Sequence, residues 1–230
     1  MSPLSSIKQR KTYMVEVMRK CLEALGKLHK CDVAHRSLGA DSILMTSTKA
    51  GDDLRQFGLE VSSVYASDPA SLRIIFTDLG FAGKISDSHK DAEFCGRANG
   101  FGLKLDGGSS LGLTSFAIAE DIHALAVVFL DVLFNGVLTE LQSEGVGERL
   151  ANLMVDVFTG NTKELRDYCA EEAGWEDVVQ LLDEKKGWDM LGLMLFARER
   201  AMELANDTGR FGVLTCEGVL GGSEFFSSIG

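Results

Sequence analysis

The chain has 230 residues, 45% of them hydrophobic and 25% charged, which suits one large domain able to bury a sizeable core. With 23 lysines and arginines against 34 aspartates and glutamates, the net charge is −11. That balance excludes nucleic acid or an anionic membrane as the main partner, because either needs a basic footprint.

At the N-terminus, residues 1–11 lack the apolar run of a signal peptide. Lys8, Arg10, Lys11, Arg19 and Lys20 make a local basic stretch, read as the solvated face of a helix. Met14, Val17, Met18, Cys21, Leu22, Leu25 and Leu28 recur at helical spacing between charged residues, predicting an amphipathic helix that ends near residues 29–31. A polar loop follows, from Val33 through His35-Arg36-Ser37 to Ser42. Ile43–Met45 and Arg73–Thr77 are short apolar runs that predict a β-hairpin. Between them, 46–71 is polar and irregular, with Gly51-Asp52-Asp53 and Asp68-Pro69, and reads as an exposed loop. Phe76-Thr77-Asp78-Leu79-Gly80-Phe81 closes the second run.

Gly96 to Ser110 is rich in glycine and serine and reads as a flexible loop, since no strand–turn–helix context supports a phosphate cradle. Ile122–Phe134 is strongly apolar but too short to span a bilayer, and Asp131 interrupts it, so it reads as a buried core helix. The remainder is helical and acidic. Arg149–Phe158 carries Leu150, Leu153, Met154, Val157 and Phe158 on one face, and Trp175–Leu182 and Trp188–Met202 predict two more amphipathic helices. Leu25, Leu28, Leu44, Ile75, Leu125, Val128, Phe129 and Leu133 are the expected core.

Five cysteines (21, 31, 95, 169 and 216) are scattered, odd in number and without a Cys-x-x-Cys pair, so neither a zinc site nor a disulfide framework is expected. A reducing, intracellular compartment fits this usage. Cys95, in Phe94-Cys95-Gly96-Arg97, is the thiol to test for reactivity.

Taken in order, these elements resemble the large C-terminal lobe of eukaryotic-type Ser/Thr protein kinases. His35-Arg36-Ser37-Leu38 through Ser42 resembles the catalytic loop H-R-D-L-x-x-x-N, and Asp78-Leu79-Gly80 resembles D-F-G. Leu25 through Leu28-His29 stands in the place of the helix that leads into that loop. Glu120-Asp121-Ile122-His123 through Leu130 resembles the family's Asp-led central helix, and Glu224-Phe225-Phe226 the lobe's tail. Arg198 and Arg200 sit near the family's late arginine. A further similarity is to the chloroplast state-transition kinases.

The resemblance implies a mainly α fold over 1–230: one kinase-like C-lobe with a small β-hairpin at the cleft, the small N-lobe being absent before residue 13. It implies that 46–71 is an insertion and 81–118 an activation-segment-like loop. It places Ser37 at the position of the catalytic base, His35, Arg36 and Asp121 as residues that hold the loop, and Ser42, Asp78 and Gly80 at the nucleotide. ATP and Mg²⁺ are the ligands it implies, with Asp78 as the metal ligand, Asp41 or Ser42 as a second, and Gly39 in place of a phosphate-neighbouring lysine. No Ala-Pro-Glu follows Gly80. A serine hydroxyl is no general base near neutral pH, and losing a positioned base costs on the order of 10²–10⁴ in rate. The expected function is therefore a non-catalytic scaffold or regulator of another protein, such as a true kinase or a complex subunit. The alternative is an atypical Ser/Thr kinase whose small lobe lies elsewhere. Nucleic acid is not an expected partner, no transmembrane segment is expected, and the compartment is cytoplasm or chloroplast stroma.

Overall fold

Helix α1 (Ile7–Lys30) opens the fold, and its sequence explains its placement. Tyr13, Met14, Val17, Met18, Cys21, Leu22 and Leu25 form one fully buried stripe, while Arg19 bridges Glu16 and Glu23 on the other side. Lys27, His29 and Lys30 in the last turn complement the helix dipole. The computed structural model describes residues 7–47, 55–56, 71–103, 110–138, 145–206 and 213–227.

Asp32 turns the chain out of α1 in the left-handed region (φ 65°). Strand β1 (Val33–Ala34) follows, then a 3-10 turn at Ala40–Ser42, β2 (Ile43–Ser47), β3 (Arg55–Gln56), β4 (Leu72–Phe76) and β5 (Gly83–Lys84). β2 lies between β3 and β4, antiparallel to both, with Ile43 opposite Phe76 and Ser47 opposite Leu72. β1 pairs antiparallel with β5, Val33 opposite Lys84, so the polar loop after β1 and the Asp78 turn before β5 meet at one end of the sheet.

Helix α2 (Ala92–Gly100) leads to the central helix α3 (Ser110–Val132). Phe116, Ile122, Leu125, Ala126, Phe129 and Leu130 of α3 are fully buried, which an all-round apolar helix requires. Packed on it are α4 (Val146–Asn152), α7 (Gly187–Leu195) and α8 (Ala197–Asn206); α5 (Thr162–Glu171), α6 (Glu176–Glu184) and α9 (Cys216–Gly222) complete the mainly helical fold. The close approach of α3 and α4 depends on Gly147, where a Cβ would come to 2.4 Å of the Val127 carbonyl.

Several expectations need correction. Ile75 is 41% exposed, not core, because the strand register turns Leu72 inward and Ile75 outward. On β2, Ile43 and Met45 are the buried pair and Leu44 is half-buried; Leu28 is half-buried too. The stretch 81–118 is not a loop throughout, for α2 lies within it and α3 already begins at Ser110. Asp91 caps α2 by accepting from Phe94 N (3.0 Å), a start signal that glycine content obscured. Trp188–Met202 is two helices, broken where Phe196 leaves helical geometry (φ −93°, ψ 19°). Arg149–Phe158 starts earlier, at Val146, and ends in a π turn, Leu153–Val157. The extra residue in that turn rotates Val157 into solvent. Within 46–71, residues 48–54 and 57–70 lie outside the described residues, as do 104–109 of the glycine-rich stretch. Among the described residues no helix is long and apolar enough to cross a membrane.

Candidate functional site

The candidate site is built on Asp121, whose side chain on α3 is 1% exposed. Its Oδ2 accepts from His35 N (2.7 Å) and its Oδ1 from Arg36 N (2.8 Å). A third donor, His29 Nε2 on the last turn of α1, reaches Oδ2 at 3.0 Å. A carboxylate taken out of water is tolerable only with such charge-assisted partners. The clamp also explains Arg36, whose φ of 65° is a left-handed conformation costing a non-glycine residue about 1–3 kcal/mol. Two bonds from consecutive amides to one carboxylate fix that conformation.

His35 is fully buried and its Nε2–H donates to the Thr77 carbonyl (2.9 Å), while Thr77 N donates to Ser42 O (2.8 Å). The polar loop is thereby joined to the residue before Asp78. The Arg36 guanidinium runs the other way, donating to Asp91 Oδ2 (2.6 Å) and Ser88 Oγ (3.1 Å) and lying 4.3 Å from the Phe94 ring centre. It rests against Gly83, where a Cβ would meet the guanidinium carbon at 2.5 Å. Asp91 is held below the usual carboxylate range, first by the Phe94 amide and then by Arg36.

The residues expected to handle phosphate, metal and proton are placed differently. Ser37 is exposed, and a hydroxyl there offers no base. Ser42 is buried, its Oγ donating to Gly39 O (2.8 Å) and accepting from Gly39 N (3.0 Å), so both its functions are spent inside its own turn. Asp78 is exposed in a left-handed conformation (φ 56°) and caps nothing with its side chain. Gly80 has open space where a Cβ would stand, so its backbone does not demand glycine. Mg²⁺ is held in proteins by one or two carboxylates, with waters and substrate phosphates completing its octahedron. Among the described residues no group of three or more His, Cys, Asp or Glu is placed to hold a metal. With Ser42 Oγ turned onto Gly39, the pair expected at Mg²⁺ is reduced to Asp78.

His123, two residues beyond Asp121 in sequence, donates from Nδ1 to the Leu195 carbonyl (2.7 Å). Burial, with Arg198 adding to it, lowers its pKa to about 4, so the ring is neutral near pH 7. Cys216 Sγ lies 3.8 Å from His29 Nδ1, which gives Cys216, His29 and Asp121 the order of a thiol–imidazole–carboxylate array. It is sealed: Cys216 is buried, and burial pushes its thiol well up, so no thiolate forms to act as nucleophile.

Sequence reading placed His35, Arg36, Asp78 and Asp121 but missed His29, Asp91 and Phe94. His29 has a signal in sequence, a histidine in the last helical turn just before a polar loop. The pairing of Arg36 with Asp91 spans 55 positions and has none. Comparison of the chain with models of protein families, with curated proteins and with solved structures finds no match.

Proposed function

We propose that this chain is a protein-kinase-like large-lobe domain that works without phosphotransfer, as a scaffold or regulator for another protein. The observation that carries the reading is the Asp121 clamp on the consecutive amides of His35 and Arg36, in a loop that presents Ser37 where a kinase presents its base. The reading is supported by the loop's anchoring bonds to Asp121, by Ser37 offering no general base and by Ser42 being turned onto Gly39. Phosphoryl transfer rests on positioning and charge neutralisation, and Asp78 alone supplies little of either.

A partner-binding role draws support from the surface around Asp78. Ile75, Leu79 and Phe81 are 41%, 48% and 68% exposed, an apolar group at the edge of the sheet where solvent contact is costly. The test is incubation of the purified protein with ATP, Mg²⁺ and generic protein substrates, with Asp78→Ala alongside. The expected result is no transfer by either protein. Transfer that Asp78→Ala abolishes would overturn the reading in favour of an atypical Ser/Thr kinase.

A further inference from the structure

Glu120, one residue before Asp121, is buried but takes no part in the clamp. It lies where α2, α3 and α8 come together, and two arginines approach it from the outer helices. Arg97 Nη2 of α2 is 3.5 Å from Glu120 Oε2, and Arg198 Nη2 of α8 is 3.4 Å from Glu120 Oε1. Both distances exceed the ~2.8 Å of a close charge-assisted bond. Among the described residues neither arginine pairs with another carboxylate, so one negative charge faces two positive ones.

Aromatic rings hold both guanidinium groups. Arg97 lies 5.5 Å from the Phe94 ring centre and Arg198 4.8 Å from that of Phe101, and Phe116 packs against both rings at 5.9 and 5.7 Å. Stacking of this kind fixes a guanidinium without engaging its five N–H donors. Arg198 Nε is shut off from water and has no hydrogen-bond partner among the described residues, and a buried donor in that state calls for an acceptor. Burial lowers the pKa of Arg198; Glu120 and Glu199 oppose the shift and Arg97 adds to it, so its charge is under-compensated. The junction opens outward, since the Arg97 side chain is 43% exposed and Phe101 45%.

We propose that Arg97 and Arg198 bind a phosphate dianion, free or as the ester of a small metabolite, with the exposed Phe101 ring as an apolar seat for the ester group. Guanidinium forks match phosphate oxygens in pairs, and a dianion supplies the negative charge that Glu120 alone leaves short. The net charge of −11 opposes any anion, so binding here reflects the two arginines and not a general attraction. Glu120 competes with the ligand for the same donors. Neither arginine belongs to the clamp, and the site stands whether or not the chain transfers phosphate.

The experiment follows the thermal midpoint of the full chain against inorganic phosphate, phenyl phosphate and acetate at constant ionic strength, reading a Kd from each rise. Phosphate is expected to give a saturating rise with a Kd of about 1 mM or tighter, and acetate none. Tighter binding of phenyl phosphate assigns the source to an ester, and equal binding assigns it to free phosphate. Arg97→Gln is expected to weaken phosphate about tenfold, while Arg10→Gln, which removes an exposed charge elsewhere, leaves it within about twofold. Glu120→Gln is expected to tighten phosphate several-fold, which a merely structural ion pair does not do. Should Glu120→Gln fail to fold, the contrast between Arg97→Gln and Arg10→Gln decides alone. Equal rises with acetate and phosphate would overturn the proposal, as would an unchanged Kd in Arg97→Gln or weaker binding by folded Glu120→Gln. No rise up to about 10 mM phosphate would do the same.

Discussion

Asp121→Ala is the perturbation that most directly tests the construction of the site. It leaves His35 N, Arg36 N and His29 Nε2 without their shared acceptor, at a position where the carboxylate is 1% exposed. Hydrogen bonds to a charged group are worth about 1.5–3 kcal/mol each, and some of that is returned because no carboxylate need be desolvated. Breaking a buried charged constellation by removing one member costs about 3–5 kcal/mol. For a chain of this size that lowers the melting temperature by about 6–20 °C. Asp121→Asn keeps one acceptor oxygen but turns an NH2 group toward the second amide, so it should cost about half as much. His29→Ala should cost less, about 1–2 kcal/mol, since both backbone bonds survive. The assays are thermal unfolding followed by circular dichroism and native-state hydrogen exchange at amides 35 and 36, which should lose protection ahead of α3. A loss below about 1 kcal/mol in Asp121→Ala, or protection at 35 and 36 unchanged, would refute the clamp.

The pKa of His123 is about 4 in the folded state against 6.5 as a free side chain, so between those pH values the unfolded chain holds the extra proton. Its contribution is therefore complete above pH 6.5 and is lost as pH falls toward 4, about 3 kcal/mol in all. Urea unfolding across that range should show this slope, and His123→Gln should flatten it; equal slopes would count against a buried neutral ring. Gly147→Ala drives a Cβ to 2.4 Å from Val127 O and 2.9 Å from Asp131 N, both backbone atoms, and should destabilise by about 1–3 kcal/mol on denaturant melting. An unchanged midpoint would mean that α3 and α4 do not meet there. Labelling with a thiol reagent should modify exposed Cys31 first and Cys95 more slowly, with Cys21, Cys169 and Cys216 reacting only on unfolding. Burial raises the Cys169 thiol to about 12, so rapid native labelling at any of these three would contradict the packing.

What sequence periodicity carries, it carries well here. The stripe from Met14 to Leu25 and the apolar length of 122–134 both mark buried helices, and two short apolar runs mark paired strands. Periodicity fails where a face is decided by distant partners. Ile75 and Val157 are as apolar as their buried neighbours, and only the register of β4 and the π turn after α4 direct them outward. The site was legible as residues and not as bonds. His35, Arg36 and Asp121 stand out as types in order, yet nothing local says that Ser42 turns inward on Gly39 or that Arg36 reaches Asp91.

That division has a physical cause. Asp121, His35 and the Arg36 backbone are interdependent: removing any one leaves a buried polar group unsatisfied, at a cost that is a large share of a domain's net stability. Ser37 is exposed, and replacing an exposed side chain away from caps and strained backbone changes stability by about 0.5 kcal/mol or less; Asp78 is exposed too, but its left-handed backbone adds strain for alanine. An exposed side chain such as Ser37 can therefore be lost from this fold at little energetic cost, and the clamp cannot. The same asymmetry sets an order among variants: Asp121→Ala should damage folding, while Ser37→Ala should leave the thermal midpoint unchanged.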